Sequence, residues 1–183
     1  RTLALEVRFP DRRALLRIVE RVRRMFDLGA DPALIAEHLG GDPLLASPLA
    51  AHPGVRTPGA WDGFELAVRA ILGQQVSVRA ATTIAGRIAA MFGTPLSNGD
   101  GLDRLFPKPA DLANADIERA GVMPTRAETI RTLARQTANG AMTFDAVVDG
   151  RATRAALRSL PGIGDWTTEY IAMRAFGELW DEY

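Results

Sequence analysis

The sequence predicts an all-α domain built from several helices of modest length. Apolar residues recur at helical spacing along most of the 183 residues, and capping residues, Gly or Pro separate the periodic segments. Alternating β-type residues occupy one short stretch, Thr2 to Phe9. The 47% hydrophobic and 24% charged content is that of a globular chain able to bury one core.

Thr2 to Phe9 is predicted to be a β-strand that ends at Pro10. A single strand has no partner for its backbone hydrogen bonds. We therefore expect residues 1–10 to be the last strand of an otherwise missing N-terminal domain. Residues 11–183 are expected to form the helical domain.

Four helices are predicted over the first half of the chain. Asp11 caps the first, Asp31-Pro32 begins the second, and Gly ends the second, third and fourth. Phe64 and Val68 are expected to face the core from the third helix. We expect helices at 11–26, 31–40, 61–72 and 78–92, a short turn at 42–43, a surface connection at 47–59, and loops at 73–77 and 94–103.

Short helical pieces are predicted at 110–120. Thr125-x-x-Glu128 has the form of a capping box and should open a helix that reaches Ala138. Phe144 to Val148 is expected to be a short turn into the next helix, Thr153 to Ser159.

Leu160-Pro161-Gly162-Ile163-Gly164 follows that helix and precedes another, Trp166 to Phe176. Pro161 should end the first helix, and Asp165 is a candidate N-cap for the second. Both glycines can adopt positive φ and bring bare backbone close to another surface. A hairpin beside a helix N-terminus can bind a phosphate oxygen, although an ordinary turn between helices is an alternative.

Trp166 and Tyr170 are one helical turn apart, so their rings should lie on the same face. From the residues alone, this pair could pack in the core or line a binding pocket.

Composition limits the chemistry available. The absence of Cys excludes disulfides, thiolate zinc sites, thiol nucleophiles and a Cys-ligated iron–sulfur cluster, and two His make a His-based metal centre unexpected. No apolar run is long enough to span a bilayer, so we expect a cytoplasmic protein. The net charge is zero, with 22 cations and 22 anions, which disfavours a strongly basic nucleic-acid binder. Local charge distribution matters more than the sum, and every cation except Lys108 is Arg, which suits phosphate.

Two segments together resemble the helix–hairpin–helix DNA glycosylase superfamily. The first is Trp61-x-x-Phe64-Glu65 with Val68 to Ser77, and the second is Leu160 to Thr167 with Tyr170. The sequence is most similar to the bacterial 3-methyladenine DNA glycosylase II branch (AlkA type). In that family a β-containing domain precedes the helices, so the resemblance assigns Thr2 to Phe9 to its final strand.

The resemblance implies a role for each matching residue. The backbone of Leu160, Gly162, Ile163 and Gly164 would hold a DNA phosphate, with a monovalent cation beside the hairpin. Trp166 and Tyr170 would line the pocket for an extruded base. Gln75 would fill the gap that this base leaves, unless it is a loop residue facing solvent. Further candidates for the DNA face, each of which could equally be a surface residue, are Met123, Arg126, Arg131, Arg151, Arg154 and Arg158.

The resemblance further implies a monomeric, monofunctional 3-methyladenine-type DNA glycosylase of base excision repair. It would act on double-stranded DNA and hydrolyse the N-glycosidic bond of a flipped alkylated purine, without a metal or organic cofactor. The family's catalytic Asp would lie just beyond Tyr183. Asp181 is nearby, but in the family the catalytic Asp follows a loop that contains Pro, and this sequence has no Pro after Pro161. We therefore leave the catalytic residue unassigned and expect an incomplete C-terminal part and an inactive chain.

Two other functions remain open. An endonuclease III-like glycosylase/lyase would place a Schiff-base Lys where Trp166 stands, and no Lys follows Lys108. A helix–hairpin–helix module that binds DNA without catalysis fits both the zero net charge and the unassigned carboxylate.

Overall fold

The computed structural model describes residues 3–97, 101–144 and 150–177, and it confirms the all-α fold class. Short 3₁₀ helices occupy Arg12–Ala14 and Ile117–Ala120. The α-helices in the described residues are α1 (Leu15–Met25), α2 (Pro32–Leu39), α3 (Pro43–Ala51), α4 (Gly63–Leu72), α5 (Val78–Phe92), α6 (Pro109–Leu112), α7 (Pro124–Ala138), α8 (Gly150–Arg158) and α9 (Asp165–Phe176).

The predicted N-terminal strand is wrong over the residues that the structure describes. Leu3 to Phe9 carry no strand, and the one β-bridge among the described residues joins Pro95 to Arg104. A strand is defined by hydrogen bonds to a neighbour, and the alternating side chains alone cannot supply that neighbour.

The chain divides into two compact units, Arg1–Trp61 and Asp62–Tyr183. The boundary expected between residues 10 and 11 therefore differs from this division, because α1, α2 and α3 belong to the first unit. As predicted, Asp11 and Asp31 cap helices there, and Asp42 does so as well; each accepts a hydrogen bond from a backbone N–H two residues on. The segment expected to be a short turn after Asp42 instead forms α3.

The second unit is organised around α4, which packs against α5, α7 and α9. Most of its residues are buried, including Phe64 and Val68, as the helical period predicts. Phe144 and Phe176 stack with ring centroids 6.2 Å apart. A Cβ at Gly63 would lie 2.6 Å from the Cβ of Phe144, so only glycine fits the first residue of α4. No helix among the described residues has the length and hydropathy needed to cross a membrane.

Three helix starts differ from the sequence prediction. The N-cap of α4 is Asp62, so Trp61 lies outside the helix. The capping box expected at Thr125 is absent because Pro124 occupies the first helical position and Met123 becomes the N-cap. Helix α9 begins at Asp165 itself, with Gly164 as its N-cap. Most of the turn expected at Phe144 to Val148 lies outside the described residues.

Candidate nucleic-acid interface

The hairpin between α8 and α9 turns its apolar side chains inward and its glycines outward. Leu160 is 3% exposed and Ile163 is 6% exposed, whereas Gly162 and Gly164 face solvent. The backbone N–H of Ile163 donates to the carbonyl oxygen of Leu160 at 3.1 Å and closes the turn. Burial of the two side chains therefore fixes the hairpin while leaving its glycine backbone accessible.

The two glycines have different conformations. Gly162 has φ +89°, in the left-handed region that favours glycine. Gly164 has φ −94° and ψ 177°, so the positive φ considered for both residues is found only at Gly162.

The start of α9 presents backbone donors beside the hairpin. No side chain caps this helix, and its first hydrogen bond runs from the N–H of Thr168 to the carbonyl oxygen of Gly164. Asp165 does not act as the predicted N-cap, because α9 begins at Asp165 and Gly164 has the cap position. The Asp165 carboxylate lies 3.2 Å from the guanidinium of Arg158. The uncapped N–H groups and the positive end of the helix dipole favour an anion here.

Two side chains from other elements support the hairpin, and sequence reasoning assigned a role to neither. The hydroxyl of Thr129 on α7 lies 2.8 Å from the carbonyl oxygen of Pro161, to which it donates. The side-chain amide of Gln74 donates to the carbonyl oxygen of Gly162 at 2.9 Å and to the Thr167 hydroxyl at 3.2 Å. Such contacts join distant segments, so no local pattern could identify them.

Trp166 and Tyr170 form a stacked pair one helical turn apart, as their spacing predicts. Their ring centroids are 5.4 Å apart and their planes differ by 12°. Trp166 is 69% exposed, which argues against core packing for this residue, whereas Tyr170 is half-buried. The guanidinium of Arg174 lies 5.6 Å from the centroid of the Tyr170 ring. The stack therefore offers an open indole face next to the hairpin.

Gln75 is exposed in the loop between α4 and α5 and has φ +57°. Among the described residues its side chain makes no hydrogen bond, in contrast to that of Gln74. Its side chain is therefore available to contact a bound molecule, as a role in filling the gap left by an extruded base would require.

Several of the arginines considered for the DNA face make intramolecular ion pairs instead. Glu169, 7% exposed, lies 3.2 Å from Arg154 and 2.7 Å from Arg158. These pairs join α8 to α9 across the hairpin. Their role is therefore structural in this conformation.

Arg131 on α7 is also engaged, with Glu118 at 2.8 Å and Glu128 at 2.9 Å. Its hydrogen bonds lower the pKa of the Glu118 carboxyl from 4.5 to about 2. The pKa of Glu128 is lowered as well, chiefly by its hydrogen bond to Arg135. Arg131 thus fixes α7 to the preceding 3₁₀ helix.

Met123 and Arg126 lie at the start of α7 without such partners. Met123 is 61% exposed, and Arg126 makes no ion pair within the part of the chain that the structure describes. Arg126 precedes Thr129 by three residues, so it shares a helix face with the residue that supports the hairpin.

No group of three or more His, Cys, Asp or Glu residues within the described ranges could hold a metal ion. Asp181, the one carboxylate considered for catalysis, lies outside the described residues.

Two family models match the chain. The model of the AlkA N-terminal domain matches residues 1–62. The model described as "HhH-GPD superfamily base excision DNA repair protein" matches residues 68–182, more than half of the chain.

The chain is similar to curated relatives over most of its own length. It is 43% identical over 169 residues, 92% of this chain, to a probable bifunctional transcriptional activator/DNA repair enzyme AlkA of Mycobacterium tuberculosis. It is 36% identical over 159 residues, 85% of this chain, to DNA-3-methyladenine glycosylase 2 of Escherichia coli K12. The matches cover 34% and 54% of those two proteins, so the chain spans only part of either relative.

A solved 3-methyladenine DNA-glycosylase from Archaeoglobus fulgidus has the same fold. The TM-score is 0.75 at 23% identity, and the match covers 92% of this chain and 58% of that one.

Proposed function

Because the chain belongs to the HhH-GPD superfamily of base excision DNA repair proteins, we propose that its protein is a DNA glycosylase that releases alkylated purines from double-stranded DNA. The observation that carries this proposal is the exposed Trp166, stacked on Tyr170 directly after the hairpin. An aromatic face beside a phosphate site suits an extruded base. The names of the two curated relatives support the repair chemistry and the alkylated substrate.

The hairpin would hold the DNA backbone while the aromatic pair holds the base. Open N–H groups at Gly164 and the first turn of α9 would bind a phosphate oxygen without reading sequence. The electron-poor ring of an alkylated purine would stack on the exposed face of Trp166. Gln75 would enter the gap in the duplex and hydrogen-bond to the orphaned base.

Hydrolysis of the glycosidic bond places small demands on the enzyme when the base is already cationic. Water adds to the sugar carbon and releases a proton, the carbon–nitrogen bond breaks, and its electron pair leaves with the base, which becomes neutral. The enzyme must position the sugar and stabilise its developing positive charge with a carboxylate. Trp166 favours a monofunctional enzyme, because an indole cannot form the Schiff base that a lyase needs.

The proposed chemistry uses no metal and no organic cofactor, and the protein would act as a cytoplasmic monomer. A monovalent cation could sit beside the hairpin when DNA is bound, where backbone carbonyl oxygens are its natural ligands. The carbonyls of Leu160, Pro161 and Gly162 already accept one hydrogen bond each. A cation would therefore use their second lone pairs.

The pocket is tested with Trp166→Ala and Trp166→Phe in the complete protein. Loss of base stacking should cost about 1–3 kcal/mol, so release of 3-methyladenine should fall while affinity for undamaged duplex changes little. Trp166→Phe, which retains an aromatic face, should recover much of the activity. Single-turnover base release and duplex binding measure the two effects. Equal loss of both would contradict the pocket assignment.

The 183-residue chain alone is proposed to be inactive as a glycosylase. This proposal rests on the expectation, implied by the resemblance, that the catalytic Asp follows Tyr183, and Asp181 would have to replace it from a different loop. The test compares base release by this chain, by Asp181→Asn and by a form extended past Tyr183. Activity of the short chain that disappears in Asp181→Asn would identify Asp181 as catalytic and overturn the proposal.

A DNA-binding module without catalysis is the second candidate, favoured by the zero net charge and the unassigned carboxylate. It predicts that the extended form binds duplex DNA and releases no base.

A further inference from the structure

Gln74 joins the loop between α4 and α5 to the hairpin. Its side-chain amide donates to the carbonyl oxygen of Gly162 at 2.9 Å and to the hydroxyl of Thr167 at 3.2 Å. Both N–H groups of the amide can be used in this way. An aliphatic group could make neither bond, and a carboxylate could not donate to the carbonyl oxygen of Gly162. One side chain therefore contacts the hairpin and the first turn of α9 together.

The backbone of Gln74 is held as well. Its N–H donates to the carbonyl oxygen of Ile71 at 3.3 Å, and the N–H of Gly73 donates to the carbonyl oxygen of Arg69 at 2.9 Å. Residue 74 is thus fixed at the end of α4 by its main chain and at the hairpin by its side chain.

Gln75 follows directly in the left-handed region, with φ +57°. This conformation costs a non-glycine residue on the order of 1 kcal/mol and persists where its surroundings fix it. The two neighbouring side chains have opposite environments, since Gln74 bonds to the hairpin while Gln75 is exposed. The hydrogen bonds of Gln74 join the loop to the hairpin.

We propose that Gln74 is a positioning residue that fixes Gln75 relative to the phosphate-binding hairpin. Gln75 can fill the gap in the duplex only if it stands at a set distance from the phosphate that the hairpin holds. The amide of Gln74 sets that distance by tying the two segments together. This inference rests on the proposed DNA glycosylase function.

Thr129 provides a matched control. Its hydroxyl supports the hairpin through Pro161. Within the described residues its hydrogen bonds go to the carbonyl oxygens of Pro161 and Thr125, and neither reaches the loop that carries Gln75. Thr129→Val keeps the shape of the side chain and removes its hydrogen bond. It should weaken the hairpin without releasing the loop.

The experiment titrates the chain into duplex DNA that carries a tetrahydrofuran abasic site opposite 2-aminopurine. The midpoint of the titration reports affinity, and the fluorescence at saturation reports insertion of a side chain beside the orphaned base. Gln75→Ala, which removes the inserted group, defines the signal without insertion. Circular dichroism of each variant confirms that it remains folded.

Gln74→Ala and the isosteric Gln74→Glu should bind about fivefold more weakly, the equivalent of one hydrogen bond, and lose most of the saturation signal. Thr129→Val should lose a similar affinity and keep the full signal. A wild-type saturation signal in folded Gln74→Glu overturns the inference, as does an equal loss in Thr129→Val. Failure of the wild-type chain to bind DNA at all would instead overturn the proposed function.

Discussion

Gly162 and Gly164 meet different demands within one hairpin. At Gly162 a Cβ would lie 2.7 Å from the Thr129 hydroxyl, and the residue has φ +89°. At Gly164 a Cβ would meet nothing within 4 Å, and the backbone is extended. Gly162 is therefore required for the hairpin to form, whereas Gly164 keeps the start of α9 open to a ligand.

Gly164→Asp should leave the fold intact and weaken binding of duplex DNA. The new carboxylate would stand where a phosphate binds and would also cap the open N–H groups of α9. We expect a loss on the order of 2 kcal/mol, or about thirtyfold. Fluorescence anisotropy with duplex DNA measures it.

Gly164→Ala is the matched control for that prediction, since it adds a Cβ without a charge and should retain most of the affinity. Unchanged affinity in folded Gly164→Asp would contradict the phosphate site.

At the scale of the element, α7 carries two independent supports. Thr129 donates a hydrogen bond to the hairpin. Arg131 forms ion pairs with Glu128 on the same helix and with Glu118 on the preceding 3₁₀ helix. The pKa of Glu118 lies at about 2 rather than 4.5 because Arg131 donates to its ionised carboxylate. Stability that depends on this pair is present above pH 4.5 and is lost as pH falls from 4.5 toward 2.

Glu118→Gln should therefore flatten the dependence of stability on pH in this acid range. The variant lacks the titrating carboxyl, so its urea midpoint should fall less than that of the wild type as pH is lowered from 4.5. Glu20→Gln serves as the control, because Glu20 and Arg23 are 3.7 Å apart and mostly exposed. Parallel pH profiles for the wild type and Glu118→Gln would disprove the assigned linkage.

At the scale of the whole molecule, charge sums to zero, so electrostatic affinity for DNA must arise locally. Near the hairpin, Arg154 and Arg158 are engaged with Glu169. Arg126 makes no ion pair within the described part of the chain, and it lies one turn before the hairpin-supporting Thr129. Among the arginines considered for the DNA face, we therefore expect Arg126 to contact a second phosphate.

Arg126→Gln should reduce the salt dependence of duplex binding by the equivalent of one phosphate. The slope of log affinity against log salt should become shallower by about 0.9. Titrations at several salt concentrations measure the slope.

Arg135→Gln removes the same charge from the other end of α7, about 13 Å away, and should leave the slope unchanged. The same slope change in both variants would indicate a general charge effect and exclude a specific contact of Arg126.

The sequence by itself determined the helical fold class, most helix positions and the placement of the hairpin and the aromatic pair. Local spacing and capping chemistry decide these features, because they depend on neighbours within a few residues. The stack of Trp166 on Tyr170, the inward face of α4 and the hairpin between two helices all followed from such rules. Family resemblance added the expected roles of Gln75 and the hairpin, which remain predictions.

Only the tertiary structure decided which side chains are engaged and which are free. The exposure of Trp166 depends on what packs around it. The hydrogen bonds from Gln74 and Thr129 to the hairpin, like the ion pairs of Glu169 with two arginines, join different elements of the chain. The expected strand at Thr2 to Phe9 was wrong over Leu3 to Phe9 for a related reason. A strand, like an ion pair, exists only when a partner stands beside it, and the local pattern cannot specify that partner.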